Sequence, residues 1–432
     1  MKIKKQQPSI FNDVIGPAMR GPSSSHCAGS LRIGRMIRNL MGGRIRAVLV
    51  EYDPNGSLVT THESHGSDMV LYSGLLGYDT LDKRLLNYRN EIKKAGMTVR
   101  VKYVSYGAKH PNTYRITAAS DRITHRVTAL SVGGGMIELV EIDGAEVSMQ
   151  GDRWETLVFL SEASGNPERT ISGWVKAGEV TLKKGQPPFV RIATTRPLPA
   201  SVLRQIKNLP SVLRVAVMDP VLPVISHPDV KLPFTTSEEM IRFNKNRGLP
   251  LWKLAVAYES ARGNISEAKV VEKMRAMVRI MDAAIKSGLK GTRFADRILP
   301  AQSALFKKKM TAGKLIADPV LNRIILYVSA LMETKSSMGV IVAAPTAGAC
   351  AACPGAILGA GRALKRTEED MARAMLAAGL IGVFIADQST FAAESAGCQA
   401  EKGTCVCDQS MQPQGLWKLS AGGSDGDRIY PG

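Results

Sequence analysis

Apolar and polar positions divide the chain into three stretches of different character. Up to about residue 165, short β-branched apolar runs are interspersed with helical periodicity. Arg46–Tyr52 (RAVLVEY) and the alternating Thr98–Ser105 (TVRVKYVS) predict strands, and Ser30–Leu40 and Ser67–Leu76 predict helices. Gly133–Gly135 predicts a glycine turn opening a strand. Between Ile171 and Val224, the strand–helix–strand spacing of Phe189–Thr194, Ala200–Leu209 and Val212–Met218 fits a small ferredoxin-like module of the ACT type, a pattern that many unrelated domains share. Prolines from Pro220 to Pro233 predict a linker. From Thr235 the pattern is helical through Pro250–Arg262, Ser266–Ser287, Val320–Glu333 and Thr367–Ala386, with Thr236 or Ser237 as the first N-cap. The expected fold is α/β plus all-α: an N-terminal α/β domain over 1–165, a candidate ACT-like module over 171–224 and a C-terminal helical domain over 235–432.

At 432 residues the chain exceeds one compact core, and 44% hydrophobic residues suffice to bury several. The apolar runs Gly339–Ala344 and Met375–Ala386 are punctuated by small or charged residues, and none reaches the ~20 apolar residues of a membrane span. The N-terminal MKIKKQQPSIFNDV has no apolar stretch behind its lysines, so a cytoplasmic protein without a secretory signal is expected. The formal charge of +19 is spread along the length, with only the short run Lys307–Lys309 and no interleaved aromatics. That distribution argues against nucleic acid and fits attraction of small carboxylates. Five of six cysteines crowd the last third, which points to metal or redox chemistry rather than a disulfide framework.

Four segments gather groups capable of chemistry. Gly21–Gly29 (GPSSSHCAG) places three hydroxyls and a histidine before a helix, where free amides and the positive helix end favour a carboxylate. A Ser-rich N-cap with a surface histidine accounts for the same residues. Gly56–Gly77 (GSLVTTHESHGSDMVLYSGLLG) offers His62 and His65 with Asp68 nearby, either a base with its charge partner or a polar turn capping the next helix. Lys335–Gly361 (KSSMGVIVAAPTAGACAACPGAILGAG) has small residues that let backbone approach a ligand, and Cys350 and Cys353 at metal-like spacing. An Ala/Gly helix-packing segment with small buried cysteines is the alternative. Gly397–Cys407 (GCQAEKGTCVC) adds Cys398, Cys405 and Cys407, enough thiolates for a zinc or iron–sulfur site, in an order unlike bacterial ferredoxins.

In order and spacing these segments resemble the single-chain, iron–sulfur-dependent L-serine dehydratases (serine deaminases). GPSSSHCAG is similar to the family's GPSSSH-T-x-G signature, the His65 segment to GS-x-x-TT-x-x-GHG-T-D, and Ser131–Gly135 (SVGGG) to another β-region element. The segment from Met338 is similar to the α-region motif M-G-x-I-x-A-x-PTAG-x-x-x-x-x-PG, and that from Gly397 to GCQAE-x-G. The resemblance covers nearly all of the chain. It implies an N-terminal domain of substrate-binding type, a C-terminal helical catalytic domain, L-serine as substrate and a homo-oligomer with no nucleic-acid or membrane partner. It also implies a [4Fe–4S] cluster held by three cysteines, of which Cys398 matches the first. The implied reaction is β-elimination, with an open iron acting as Lewis acid on the serine hydroxyl. His65 would remove the α-proton, with His26 the second candidate, leaving aminoacrylate that becomes pyruvate and ammonia. Ser23, Ser24 and Ser25, with Pro345, Thr346, Ala347 and Gly348, would hold the carboxylate and amine.

Two departures qualify the resemblance. The family's other cluster cysteines belong to a T-C-D-P-x-G-G…P-C-x-x-R-N segment with no counterpart, since DQSMQPQGLWKLSAGGSDGDRIYPG follows Cys407. This predicts a truncated α-like region. One alternative is an inactive member that binds a small amino acid, and another is a cysteine desulfidase-like lyase differing in the leaving group. Cys27 stands where the family has threonine, an expected change in the substrate loop.

Overall fold

In a computed structural model that describes residues 7–21, 23–161, 166–227, 230–293, 299–346 and 348–388, with the backbone of 428–430, the chain forms an α/β region followed by a helical one. The first region runs β1 (Ala18–Arg20), α1 (Ser24–Met41), β2 (Ala47–Tyr52), α2 (Leu58–Thr61), α3 (Ser67–Leu76), α4 (Tyr88–Lys94), then strands β3 (Thr98–Tyr103), β4 (Thr113–Ala119), β5 (Thr124–Gly133), β6 (Met136–Ile142) and β7 (Ala145–Met149). Its sheet has the order β3-β2-β4-β5-β6-β7, extended at the β3 edge by Arg428–Tyr430. Only β2 and β3 are parallel. Alternation along β2 buries Val48, Val50 and Tyr52, which join Ile33, Ile37 and Leu40 of α1 and Leu71, Tyr72 and Leu75 of α3 in one core. The helices α1 and α3 cross at glycines: a Cβ on Gly74 would lie 2.5 Å from the Leu31 carbonyl, so no larger residue fits that crossing. The Gly133–Gly135 turn between β5 and β6 has positive φ at all three residues, which glycine alone adopts without strain.

A second sheet is made of β8 (Trp154–Leu160), β9 (Glu179–Lys183), β10 (Phe189–Thr194) and β11 (Val212–Met218), in the order β11-β8-β10-β9 and antiparallel throughout. With α5 (Pro167–Trp174) after β8 and α6 (Ala200–Lys207) after β10, this is the βαββαβ ferredoxin-like arrangement. The module read from sequence began at Ile171, but its sheet reaches back to β8. Six consecutive residues of β8, from Glu155 to Leu160, are buried because both faces are covered. Val158 and Leu160 pack with Ile171 and Ile206, whereas Leu157 and Phe159 join the first core. A strand apolar on both faces carries no alternation to mark which sheet it belongs to. The two sheets are also tied by polar groups. Arg214 Nη2 donates to the Leu40 carbonyl (2.6 Å) and lies 2.9 Å from His125 Nε2, while His125 Nδ1 meets Asp143 at 2.6 Å.

The helical region comprises α7 (Ser237–Asn244), α8 (Leu251–Gly263), α9 (Glu267–Leu289), α10 (Ser303–Thr311), α11 (Pro319–Ser336), the short β12 (Val340–Val342), α12 (Ala349–Ala363) and α13 (Glu368–Gln388). Thr236 is the N-cap of α7, its hydroxyl accepting from the Glu239 amide at 3.2 Å. Buried Glu333 of α11 accepts from the Gln302 and Ser303 amides (2.7 and 2.6 Å), satisfying the start of α10. The chain's first described residues belong to this region. Ile10, Phe11 and Val14 pack in its core, and Glu259 of α8 accepts from Ser9 Oγ (2.5 Å) and the Ile10 amide (2.8 Å).

The proline-rich connection expected as a linker is packed: Leu222, Val224 and Ser226 are buried. The Val221 and Leu222 amides bond to the Gly151 carbonyl (2.7 and 3.1 Å). Asn12 clasps both backbone groups of Val224, donating Nδ2 to its carbonyl (2.7 Å) and accepting from its amide (3.0 Å). Asn12 is fully buried. Asn12→Ala leaves a buried carbonyl and amide unpaired, and we expect it to cost about 2 kcal/mol. A urea denaturation midpoint unchanged from wild type would refute that.

Candidate active site

The site is built at the N-terminus of α1. After β1, Gly21 turns the chain at φ 118° and Ser23 takes the N-cap position in extended geometry. Its hydroxyl makes no capping bond and instead lies 2.7 Å from His26 Nδ1. The positive end of an 18-residue helix is thereby not closed by its own N-cap side chain. Ser24 is buried and its hydroxyl has no hydrogen-bond partner among the described residues, whereas Ser23, Ser25 and His26 are partly exposed. Ser30, one turn further, donates to the His26 carbonyl (2.9 Å) and meets the Tyr114 hydroxyl (2.7 Å), fixing this turn to the sheet.

The second histidine segment follows β2 and lies beyond the carboxyl ends of the parallel pair β2–β3, the usual ligand side of such a sheet. The structure separates its two histidines. His62 is buried, with Nδ1 2.8 Å from Asp68 and Nε2 2.9 Å from the Tyr103 hydroxyl, so neither nitrogen faces a ligand. His65 is partly exposed, and its ring lies 4.7 Å from that of His26. The buried Cys27 thiol donates to the His65 carbonyl at 3.1 Å. Burial pushes this thiol up to about 12, against the opposing pull of Lys335, so it stays a neutral donor. Cys27 therefore joins α1 to the His65 loop in this chain.

The α-region motif reaches the same neighbourhood through a two-stranded ribbon. β1 pairs antiparallel with β12, from Ala18–Val342 to Arg20–Val340, and Arg20 Nη1 donates to the Met338 carbonyl at 3.1 Å. Ala343 packs with Met19 and Cys27. Antiparallel pairing sends Pro345, Thr346 and Gly348 off the end of the ribbon beside Gly16, whereas Ser23–Ser25 leave from the other end. Thr346 and Gly348 are exposed, Thr346 Oγ1 accepts from the Ala349 amide at the start of α12 (3.3 Å), and Ala347 lies outside the described residues.

Cys350 and Cys353 sit one turn apart on α12, Cys350 in the helical core and Cys353 packed against it, with burial raising the Cys353 thiol. Cys398, Cys405 and Cys407 lie outside the described residues. Among the described residues no three His, Cys, Asp or Glu side chains come together to hold a metal ion. Sequence reasoning missed Tyr103, Arg20 and Lys335, the last 5% exposed at the end of α11. Tyr103 ends an alternating strand, but its place beside His62 follows from the β2–β3 register, which no local pattern reveals. Arg20 and Lys335 matter only through contacts with segments distant in sequence.

Residues 14–141 match the serine dehydratase beta chain family and residues 246–422 the serine dehydratase alpha chain family. The chain is 31% identical over 218 residues to the probable L-serine dehydratase beta chain of Bacillus subtilis, which covers 48% of this chain and 96% of that protein. The probable L-serine dehydratase alpha chain of the same organism is 25% identical over 171 residues, 40% of this chain and 57% of the relative. The L-serine dehydratase of Streptomyces coelicolor is 26% identical over 399 residues, 89% of this chain and 73% of the relative.

Proposed function

Because this chain belongs to the serine dehydratase family, with beta-chain and alpha-chain regions in one polypeptide, we propose that it is an L-serine ammonia-lyase forming pyruvate and ammonia by β-elimination. What supports this reading most is the pairing of His26 and His65 at 4.7 Å beside an α1 N-terminus whose N-cap side chain is turned away. The α1 amides, with Ser23, Ser24 and Ser25, receive the substrate carboxylate. His65 takes the α-proton, held by Cys27 at its carbonyl and by His26 at its ring. His26, anchored through Nδ1 to Ser23, is the second candidate for that role. Pro345, Thr346, Ala347 and Gly348, which the resemblance assigns to the amine, are not built into this site, since the β1–β12 pairing sends Pro345, Thr346 and Gly348 out at the opposite end of the ribbon from Ser23–Ser25. We place the enzyme in the cytoplasm as a homo-oligomer.

The cofactor in this proposal is a [4Fe–4S] cluster with Cys398 as one thiolate. The described thiols do not fit such a group: Cys27 is a buried neutral donor, and Cys350 and Cys353 are built into helix packing. The described residues supply binding and proton transfer.

The test is anaerobic assay of the full chain after iron and sulfide reconstitution. Pyruvate from L-serine supports the lyase reading, sulfide release from L-cysteine without pyruvate from serine favours a desulfidase-like lyase, and serine binding without turnover favours the inactive member. Cys398→Ser is expected to lose the bound iron, since each missing thiolate removes a bond and balancing charge. Unchanged iron content in that variant removes Cys398 from the proposal.

A further inference from the structure

We infer that His62 is a positioning residue whose bridge to Asp68 clamps shut the loop that presents His65. The inference rests on the reading of His65 as the base. The loop from His62 to Asp68 is closed twice between the same two residues. The side chains meet at 2.8 Å, and the Asp68 amide donates to the His62 carbonyl at 3.2 Å. His65 stands midway between them. Inside the loop, the His65 amide donates to the Thr61 carbonyl (2.9 Å) and the Gly66 amide to the Glu63 carbonyl (3.0 Å), with Gly66 left-handed at φ 78°.

The clamp is in turn fixed to the sheet. Tyr52 ends β2 and Tyr103 ends β3, and these two residues are register partners of the parallel pair. The Tyr103 hydroxyl lies 2.9 Å from His62 Nε2, and the Tyr52 hydroxyl donates to Asp68 Oδ1 at 3.3 Å. Each half of the bridge thus has its own tyrosine, and strand pairing sets the spacing of the two tyrosines. The His62 ring also packs on Tyr52, with centroids 4.8 Å apart. A carboxylate can only accept, so His62 carries a proton on Nδ1 and donates it to Asp68. His62 is 3% exposed with both nitrogens engaged, which leaves it no access to substrate. Its influence on the reaction must pass through the loop.

Amide hydrogen exchange and kinetics on the full chain test this separately from the lyase reading. In His62→Ala we expect exchange of the His65 to Asp68 amides to rise about tenfold or more. We expect kcat for L-serine to fall about 10²-fold with KM changed little, as for a base displaced by about 1 Å. His62→Asn keeps an N–H for Asp68 and should recover both protection and most of kcat. Tyr103→Phe removes only the outer hydroxyl of an exposed residue, so it should fold and raise exchange by a smaller factor. Unchanged loop exchange in both His62→Ala and Tyr103→Phe overturns the inference whether or not the protein turns over serine. Wild-type kcat in a His62→Ala protein whose loop has opened overturns it too. A wild-type chain with a protected loop but no serine turnover refutes the lyase reading and leaves the clamp standing.

Discussion

His65→Ala is expected to lower kcat for L-serine by 10²–10⁴-fold, about the contribution of a positioned general base, while KM changes little. The asymmetry follows from the geometry. The carboxylate side of the proposed site is the α1 N-terminus with Ser23, Ser24 and Ser25, whereas the proton is taken by the His65 ring on a separate loop. The His65 backbone is held independently, by Thr61 at its amide and Cys27 at its carbonyl, so removal of the imidazole leaves the loop in place. The competing assignment is His26, whose ring is 4.7 Å away and whose Nδ1 is bonded to Ser23. Steady-state kinetics of the two single variants separate them. Wild-type kcat in His65→Ala with a collapse in His26→Ala moves the base to His26.

The comparison of His62 with His65 marks where sequence reading stops. Both stand in one short polar segment with Asp68, and pattern alone offered both as bases. What separates them is contact with Tyr52 and Tyr103, the ends of two strands whose register no local pattern reveals. Elements with a clear period were legible: α1, α3, β2 and the long helices of the second half lie close to where periodicity put them. β8 fell inside the 1–165 bound and was not read as a strand, because burial on both faces removes the alternation that marks one. The Pro220–Pro233 connection looked like a linker because prolines report backbone restriction and not burial, and Asn12, more than two hundred residues away, decides its packing. The site motifs were legible as segments, but their mutual placement was not. The β1–β12 ribbon brings the α-region motif to α1 and sends Thr346 and Gly348 out at the opposite end from Ser23.

The Cys350–Cys353 segment left open whether its small residues serve a ligand or helix packing, and the structure gives α12 a packing role with a large expected effect on stability. A Cβ on Gly355 would lie 2.6 Å from Val328 Cγ2 and 2.8 Å from the Val328 amide. One on Gly359 would lie 2.8 Å from Ile324 Cα and 3.0 Å from its amide. At Gly359 the obstacles are backbone atoms of α11, which cannot rotate away, so a larger residue must push the two helices apart along the contact. Separating them disturbs the packing around Leu358 and Leu331, both buried in the helical core. It also shifts the start of α12, where Thr346 and Gly348 sit. Gly359→Val is therefore expected to destabilise the helical region by about 4 kcal/mol, beyond ordinary overpacking because backbone and not side chain must yield. The control is Gly173 in α5, where a Cβ meets nothing within 4 Å. There Gly173→Ala should stabilise by about 0.5–1 kcal/mol through helix propensity and a less flexible unfolded chain. Urea titrations followed by circular dichroism measure both shifts. A Gly359→Val protein with a wild-type midpoint would mean that α11 and α12 are not in backbone contact at this crossing.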